Sequence, residues 1–501
     1  MMPRISYTEG FKMFKRVSKK RFAECFIRFI IALAAFVSVY FVLDRILLLK
    51  SEDGIVQMQA YYKQPAGSVD ALFVGSSHIF CHINTGVLWD EYGISGFDLA
   101  GAEQPFWNSY YYIREAMRSQ VPKVIILDIT TPGIRPIDYQ PENWFITNTY
   151  GIKRNNNRYG AIKASSLPQS FGRLLIPLNS THGRYVELTE EDFINYDDSA
   201  DYKGFDPRET TVAFERPDIS GVTERGELSE KEEKYLRMII EYVKREGVPL
   251  LLFSSPYIVT AEEQAKYNTI FDIADEYGIP YIDGNKLYDE MGFDFENDFA
   301  EVLHLNRSGN EKLSRYIGRF LKDNYGLPDH RGDPRYISWN NDAARQRQDT
   351  WDYKLKQAMA GEDAQEYLKL LDNSNYVIFC TVEPGYEGLS EKSLLFLLKP
   401  LGLSEEMLTS HGGFILNKGN CIFMSYELSF KAGINDGNRK LLFYRQYDKD
   451  EDHAFTYVKS NGSFNYQNMT GYETCTMPGS GISFYVYDTL LDKTLGKYSI
   501  D

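Results

Sequence analysis

Cysteine is scarce, with five in 501 residues at positions 25, 81, 380, 421 and 475 and no Cys-x-x-Cys pair. That excludes a disulfide-stapled scaffold and a cysteine-ligated metal site, and leaves at most one bridge among Cys380, Cys421 and Cys475 outside a reducing compartment. Positive charge is also short. Lys and Arg number 55 against 70 Asp and Glu, a formal net charge of −15. So acidic a chain lacks the basic surface that nucleic-acid phosphates demand, and no nucleic-acid partner is expected. Histidine is nearly as sparse at seven. His78 and His82 are neighbours but lack a third clustered ligand, so they read as packing or hydrogen-bonding groups; no metal and no cofactor is expected.

Basic residues crowd the amino terminus, where Arg4, Lys12, Lys15, Arg16, Lys19, Lys20 and Arg21 face only Glu9. An apolar stretch follows at 22–49, uninterrupted from Phe29 to Leu43. With its flanks it reaches the roughly 20 residues a membrane-spanning helix needs. The expectation is a retained signal-anchor, with 1–21 cytoplasmic and the bulk of the chain extracytoplasmic by the positive-inside rule. The alternative is a cleaved signal peptide, favoured by Ala32, Ala34 and Ala35. Against it stand the long basic region and the want of a small-x-small site after the apolar run.

The length suggests two domains plus extras. In the first, 50–326, the apolar run Asp70-Ala-Leu-Phe-Val ends at Gly75-Ser76-Ser77 and reads as a buried strand. Strands at 95–100, 123–129, 248–253 and 279–283 alternate with helices at 84–92, 104–120, 229–247, 260–277 and 308–324. This order predicts an α/β fold, a doubly wound parallel sheet with right-handed crossovers. Thr260-Ala-Glu-Glu263 is a capping box. The alternation breaks at 130–227, too long for a plain loop and therefore an inserted subdomain or lid.

In such a sheet the carboxyl ends of the strands build the site. Ser77 ends the first strand, Gly101 ends the second, and Asp298-Phe-Ala-Glu301-Val-Leu-His304-Leu-Asn306 precedes the last helix. Nucleophilic acyl chemistry needs these types together: a hydroxyl, an imidazole to take its proton, a carboxylate to hold the imidazole, and N–H groups for the oxyanion. The plainer readings are an ordinary Gly-Ser-Ser turn, a structural histidine and a helix-capping Glu301.

On these blocks the chain resembles the SGNH/GDSL hydrolase superfamily over about 65–326. More narrowly it is similar to the membrane-anchored branch that acylates envelope polymers, such as the D-alanine-transfer protein DltD and the alginate acetylation proteins. Gly75-Ser76-Ser77 matches the family's nucleophile block, Gly101 the oxyanion glycine, and Glu301-Val-Leu-His304-Leu-Asn306 with Ser308-Gly309 the last block. The resemblance implies Ser77 as nucleophile, His304 as base, and Gly101 with the Ser77 N–H as oxyanion donors. Two departures stand out. The family's Asp is Glu301, so the acid is Glu301 or, failing that, Asp298. The oxyanion Asn is missing, with Leu127-Asp128-Ile-Thr-Thr in its place, which makes Gln104 or Asn108 the candidate stand-in.

Beyond this domain, 327–349 reads as a polar linker and 350–501 as a smaller α+β domain. Helices are expected at 353–371 and 390–403, and strands at 376–382, 413–416, 421–426, 440–444, 455–458 and 482–487. It holds no nucleophile–base pair, and its tyrosines either stack on sugar rings or fill sheet faces. The combined expectation is a membrane-tethered serine acyl-transfer enzyme, with a membrane-bound O-acyltransferase partner and a cell-surface polysaccharide or teichoic-acid-like polymer as acceptor. Its rivals are a polysaccharide deacetylase or esterase and a non-catalytic envelope scaffold.

Overall fold

The computed structural model describes residues 19–48, 53–134, 138–193, 201–383, 396–436, 439–448, 453–460, 471–476 and 481–500. It opens with a helix, Lys19–Leu47, whose apolar side chains lie exposed from Phe22 to Val39. The stretch Arg21–Leu47 has 27 residues and contains an 18-residue window of mean hydropathy 2.4. At about 1.5 Å per residue this exceeds the roughly 30 Å of bilayer hydrocarbon, so the helix is long and apolar enough to cross a membrane.

Five parallel strands follow: β1 (Ala71–Gly75), β2 (Gly96–Ala100), β3 (Val124–Asp128), β4 (Leu250–Ser254) and β5 (Tyr281–Asp283), in the order β2-β1-β3-β4-β5. Every residue of β1 to β4 is buried, as continuous apolar runs require when helices cover both faces. Side chains alternate between two cores. Leu72, Val74, Ile125 and Leu127 pack beside Tyr112, Ile113, Ile239 and Ile240 on one face. Phe73, Ile126 and Leu251 pack beside Ile79, Leu88, Leu313 and Ile317 on the other. Gly75 pairs with Ala100 and Val74 with Leu127, so the carboxyl ends of β1, β2 and β3 are level. The strand order reverses between β1 and β3, which opens a crevice at that edge.

The helices are set by their caps. Asn84 accepts from the Val87 N–H, Ser229 from Glu232 and Thr260 from Glu263, the last as a reciprocal capping box. Between β3 and β4 the inserted segment contains the helices Glu142–Tyr150 and Asn156–Ser165 and several shorter turns. Phe145, Ile146, Tyr150, Ile162 and Leu174 give it a small core of its own with Ile55. It then returns across the sheet edge, where Arg208 bridges to Asn306.

The stretch 327–349 is not a linker. The helix Ile337–Ala360 runs through it, and Trp339 and Ala343 are buried in the α/β core while Leu355 and Ala358 are buried in the second domain. Its apolar residues are too widely spaced to show as a helical stripe because each end packs against a different domain. The helix expected at 353–371 is broken at Gly361, and Ala364–Leu370 continues separately. Of the helix expected at 390–403, residues 390–395 lie outside the described residues, and 396–401 are helical, ending in the short turn Lys399–Leu401.

The second domain is α+β. One antiparallel sheet contains β6 (Tyr376–Val382), β7 (Gly412–Asn417), β8 (Asn420–Ser425), β13 (Ile482–Asp488) and β14 (Lys493–Ile500). The other contains β9 (Phe430–Asp436), β10 (Arg439–Asp448), β11 (His453–Ser460) and β12 (Gly471–Thr476). The expected strands are present, and β9, β12 and β14 are additional. Cys380 and Cys421 are free thiols; the side chain of Cys475 lies outside the described residues.

Candidate active site

The turn after β1 decides which serine is presented. Asp128, at the end of β3, is buried and accepts from the Ser76 N–H at 3.1 Å and the Ser76 hydroxyl at 2.7 Å. Its other oxygen accepts from the Thr130 N–H and hydroxyl. Gly75 permits this closure, since a Cβ there would fall 2.3 Å from the Asp128 Cβ. Burial pushes the Asp128 carboxyl up, and the four hydrogen bonds pull the other way. Ser76 is thereby tied down, and its oxygen also accepts the His78 N–H as an N-cap. Ser77, the first residue of the helix Ser77–Phe80, is left partly exposed.

His304 Nε2 stands 2.7 Å from Ser77 Oγ. On the other side of the ring, Nδ1 stands 2.5 Å from Glu301 Oε1. A carboxylate can only accept, so the ring proton is on Nδ1 and the Nε2 lone pair faces the Ser77 hydroxyl. The His304 side chain is 13% exposed and that of Glu301 58%. Burial pulls the imidazole below its ordinary value, Glu301 opposes this, and the Arg208 cation adds to the lowering. The histidine is therefore neutral and basic at neutral pH.

The loop carrying His304 is held by its backbone. The Ala300 N–H donates to the His304 carbonyl at 2.8 Å, and Asn306 caps the helix Arg307–Tyr325. His82, behind it, accepts the Leu305 N–H on Nε2 at 3.1 Å. Its proton is consequently on Nδ1, donated to Ser255 Oγ at 2.6 Å. The His78 ring lies 5.2 Å from that of His304 and 5.0 Å from that of His82. Burial holds both neighbours well below the ordinary imidazole range, so neither adds a cation beside the base.

One expected role, that of Gly101, changes, and the three fallback candidates are engaged elsewhere. Asp298 is buried, but its carboxylate pairs with Lys312 at 2.6 Å and accepts the Asp294 N–H; the acid on His304 is Glu301. Gly101 lies at the expected edge, yet its N–H donates to the Gly75 carbonyl at 3.1 Å and is spent. Gln104 donates to Ser109 at 3.1 Å and Asn108 to Gln140 at 2.7 Å, so both amides are tied to neighbouring side chains. The Ser77 N–H, at the start of its helix, remains open. Sequence reading missed the bracing role of Asp128, although an acid ending the strand beside β1 was a usable signal. The seating of His82 under Leu305, 223 residues away, left no local trace.

No family profile and no curated protein matches the chain. Several solved structures are distantly similar. A catalytic mutant of Axe2, an acetylxylan esterase from Geobacillus stearothermophilus, is 12% identical with a TM-score of 0.27, covering 54% of this chain and 99% of its own. LAE5, an alpha/beta hydrolase enzyme from the metagenome of Lake Arreo, is 11% identical with a TM-score of 0.28, covering 52% and 97%. A protein assigned to the lipolytic G-D-S-L family in Desulfitobacterium hafniense DCB-2 is 9% identical with a TM-score of 0.26, covering 50% and 98%. Likenesses this distant carry no functional weight; what the site can do follows from its own geometry.

Proposed function

We propose that this chain is a membrane-tethered serine acyl-transfer enzyme of the cell envelope, moving an acyl group such as acetyl onto a hydroxyl of a surface polysaccharide or teichoic-acid-like polymer. The observation that carries the reading is the unbroken relay from Ser77 through His304 to Glu301. In it, Ser77 Oγ attacks the acyl carbonyl while its proton passes to His304 Nε2. Glu301 stabilises the resulting imidazolium, and the Ser77 N–H meets the oxyanion. Collapse returns the proton to the departing alcohol and leaves the acyl group on Ser77. An incoming sugar hydroxyl, deprotonated by His304, then takes the acyl group and frees the serine.

One open donor makes a lean oxyanion hole, and a missing donor typically costs about 10²–10³ in rate. The resemblance to the envelope-acylation branch implies a membrane-bound O-acyltransferase as the partner that supplies acyl groups across the membrane. A second reading, ester hydrolysis, is favoured by the exposure of Glu301: water reaches the relay as readily as a sugar does.

The test uses the full-length protein in detergent. A fluorophosphonate probe is expected to label the wild type and not Ser77→Ala. Incubation with an acetylated glycan and an unacetylated acceptor then separates transfer, which moves acetate, from hydrolysis, which releases it. Absence of labelling, together with unchanged surface acylation in cells carrying Ser77→Ala, would leave a non-catalytic scaffold.

A further inference from the structure

One stretch of the inserted segment stands out from its acidic surroundings, which resume at Glu187, Glu190, Glu191 and Asp192. Residues 151–186 contain six basic residues, Lys153, Arg154, Arg158, Lys163, Arg173 and Arg184, and no Asp or Glu, within a protein of net charge −15. The same region and the turn after it leave large apolar side chains in the open. Tyr185 and Val186 are each 69% exposed and Phe193 62%, with Leu175 and Ile176 also exposed.

This surface adjoins the carboxyl end of the apolar helix Lys19–Leu47. Arg154 pairs with Asp44 at 2.5 Å and stacks its guanidinium 4.9 Å from the Phe41 ring centre. Arg184 donates to the Leu47 carbonyl at 3.1 Å while pairing with Asp192. Of the remaining basic residues, Arg173 pairs with Glu142, whereas Lys153, Arg158 and Lys163 make no ion pair among the described residues. The insertion therefore grips the helix where a bilayer's hydrocarbon would end.

We infer that this face is seated in the membrane interface, with Leu175, Ile176, Tyr185, Val186 and Phe193 entering the headgroup and upper acyl layer and the basic residues meeting anionic lipid headgroups. Apolar side chains flanked by Lys and Arg are the composition that binds a bilayer surface. The inference rests on the membrane-tethered reading for the helix alone and adds a second, independent contact. It also orients the site. A Cβ at Gly54 would lie 3.2 Å from the Gly101 Cα, so the chain leaving the helix at Leu47 reaches the catalytic edge of the sheet within seven residues. Seven residues span at most about 25 Å. The catalytic edge therefore lies within about 25 Å of the helix end, within reach of a substrate held at or near the membrane surface.

The wild-type full-length chain, reconstituted alone in nanodiscs of phosphatidylcholine with phosphatidylglycerol, tests this directly. A phospholipid bearing a diazirine high on one acyl chain is photoactivated and its attachment sites are mapped by mass spectrometry. Crosslinks are expected in 22–43 and also in 171–193, the latter falling at least threefold in Val186→Ser/Phe193→Ser or when phosphatidylglycerol is omitted. Crosslinks confined to 22–43 would overturn the inference and leave the anchor standing. Crosslinks in neither would remove the anchor as well. If 171–193 stays free of lipid but becomes protected from proteolysis when a multipass acyltransferase is co-reconstituted, the face belongs to a protein and the inference falls.

Discussion

Glu301 is an unusual place to rest the proposed relay, since most of its side chain lies in water while the imidazole it holds is largely buried. Its contribution is orientation: as an acceptor it fixes the Nδ1–H tautomer of His304. Glu301→Gln keeps the shape but offers an N–H to Nδ1, and turnover of an aryl acetate is expected to fall about 10³–10⁴-fold with little change in Tm. Asp298→Asn removes the partner of Lys312 instead, so it should lower Tm while holding kcat within about tenfold; the reverse ranking would return the acid to Asp298. Arg208 acts through its field. Activity rises with pH as His304 loses its proton, and the lowered imidazole places that limb below the ordinary range. Arg208→Ala removes a cation that disfavours the imidazolium, so the acid limb of kcat/KM should move to higher pH with the plateau unchanged. The triad was legible because each member stands in a short motif, with Glu301 and His304 three residues apart. The oxyanion donors were not, because only the folded sheet shows that Gly101 has given its N–H to Gly75.

The helix Glu230–Arg245 shows how packing overrides a local rule. Three acids in its first turn suit the positive end of the helix dipole, and Glu232 does accept the Phe106 N–H at 3.1 Å. Yet the side chain is buried with its second oxygen unpartnered, and burial pushes the carboxyl from 4.5 up to about 8. A raised acid favours the folded state while protonated; that stability is present below the unfolded pKa and is lost as pH climbs toward 8. Glu232→Gln keeps the acceptor without the ionisation. Melting curves should show a Tm above wild type at pH 8 and close to it at pH 5. Where caps and apolar runs were local, as at Thr260 or β1, the elements were legible to within a few residues. The helix Ile337–Ala360 was not, since Trp339 and Leu355 answer to different cores.

That helix ties the molecule together. Arg307, three residues after His304, pairs with Asp349 on the helix, and Asp349 meets Lys493 of β14 at 2.7 Å, with Asp352 also within 3.0 Å of that lysine. Tyr336 and Trp339 pack against Trp89 of the α/β domain. A truncation at 326 would strip this cover and expose Trp89, so it is expected to aggregate or to lose at least 10 °C in Tm. A truncation at 363 retains the cover over Trp89. Size-exclusion chromatography and thermal unfolding of the two truncations check this; equal behaviour would show the helix to be dispensable to the first domain.

By itself the sequence determined the parallel α/β class, the apolar amino-terminal helix and the three residues, Ser77, His304 and Glu301, that the fold brings within hydrogen-bond reach of one another. Those features are written in neighbouring residues: a run of apolar side chains, a glycine before two serines, a glutamate one helical turn from a histidine. Tertiary structure alone decided which groups remain free to act. Ser76 and Ser77 are nearly alike in sequence until Asp128, 52 residues on, binds one of them. Asp298 and Glu301 compete for His304 until Lys312 claims the first. Hydrogen-bond donors and acceptors are each spent on whatever the fold brings within about 3 Å, and chain spacing does not record that proximity.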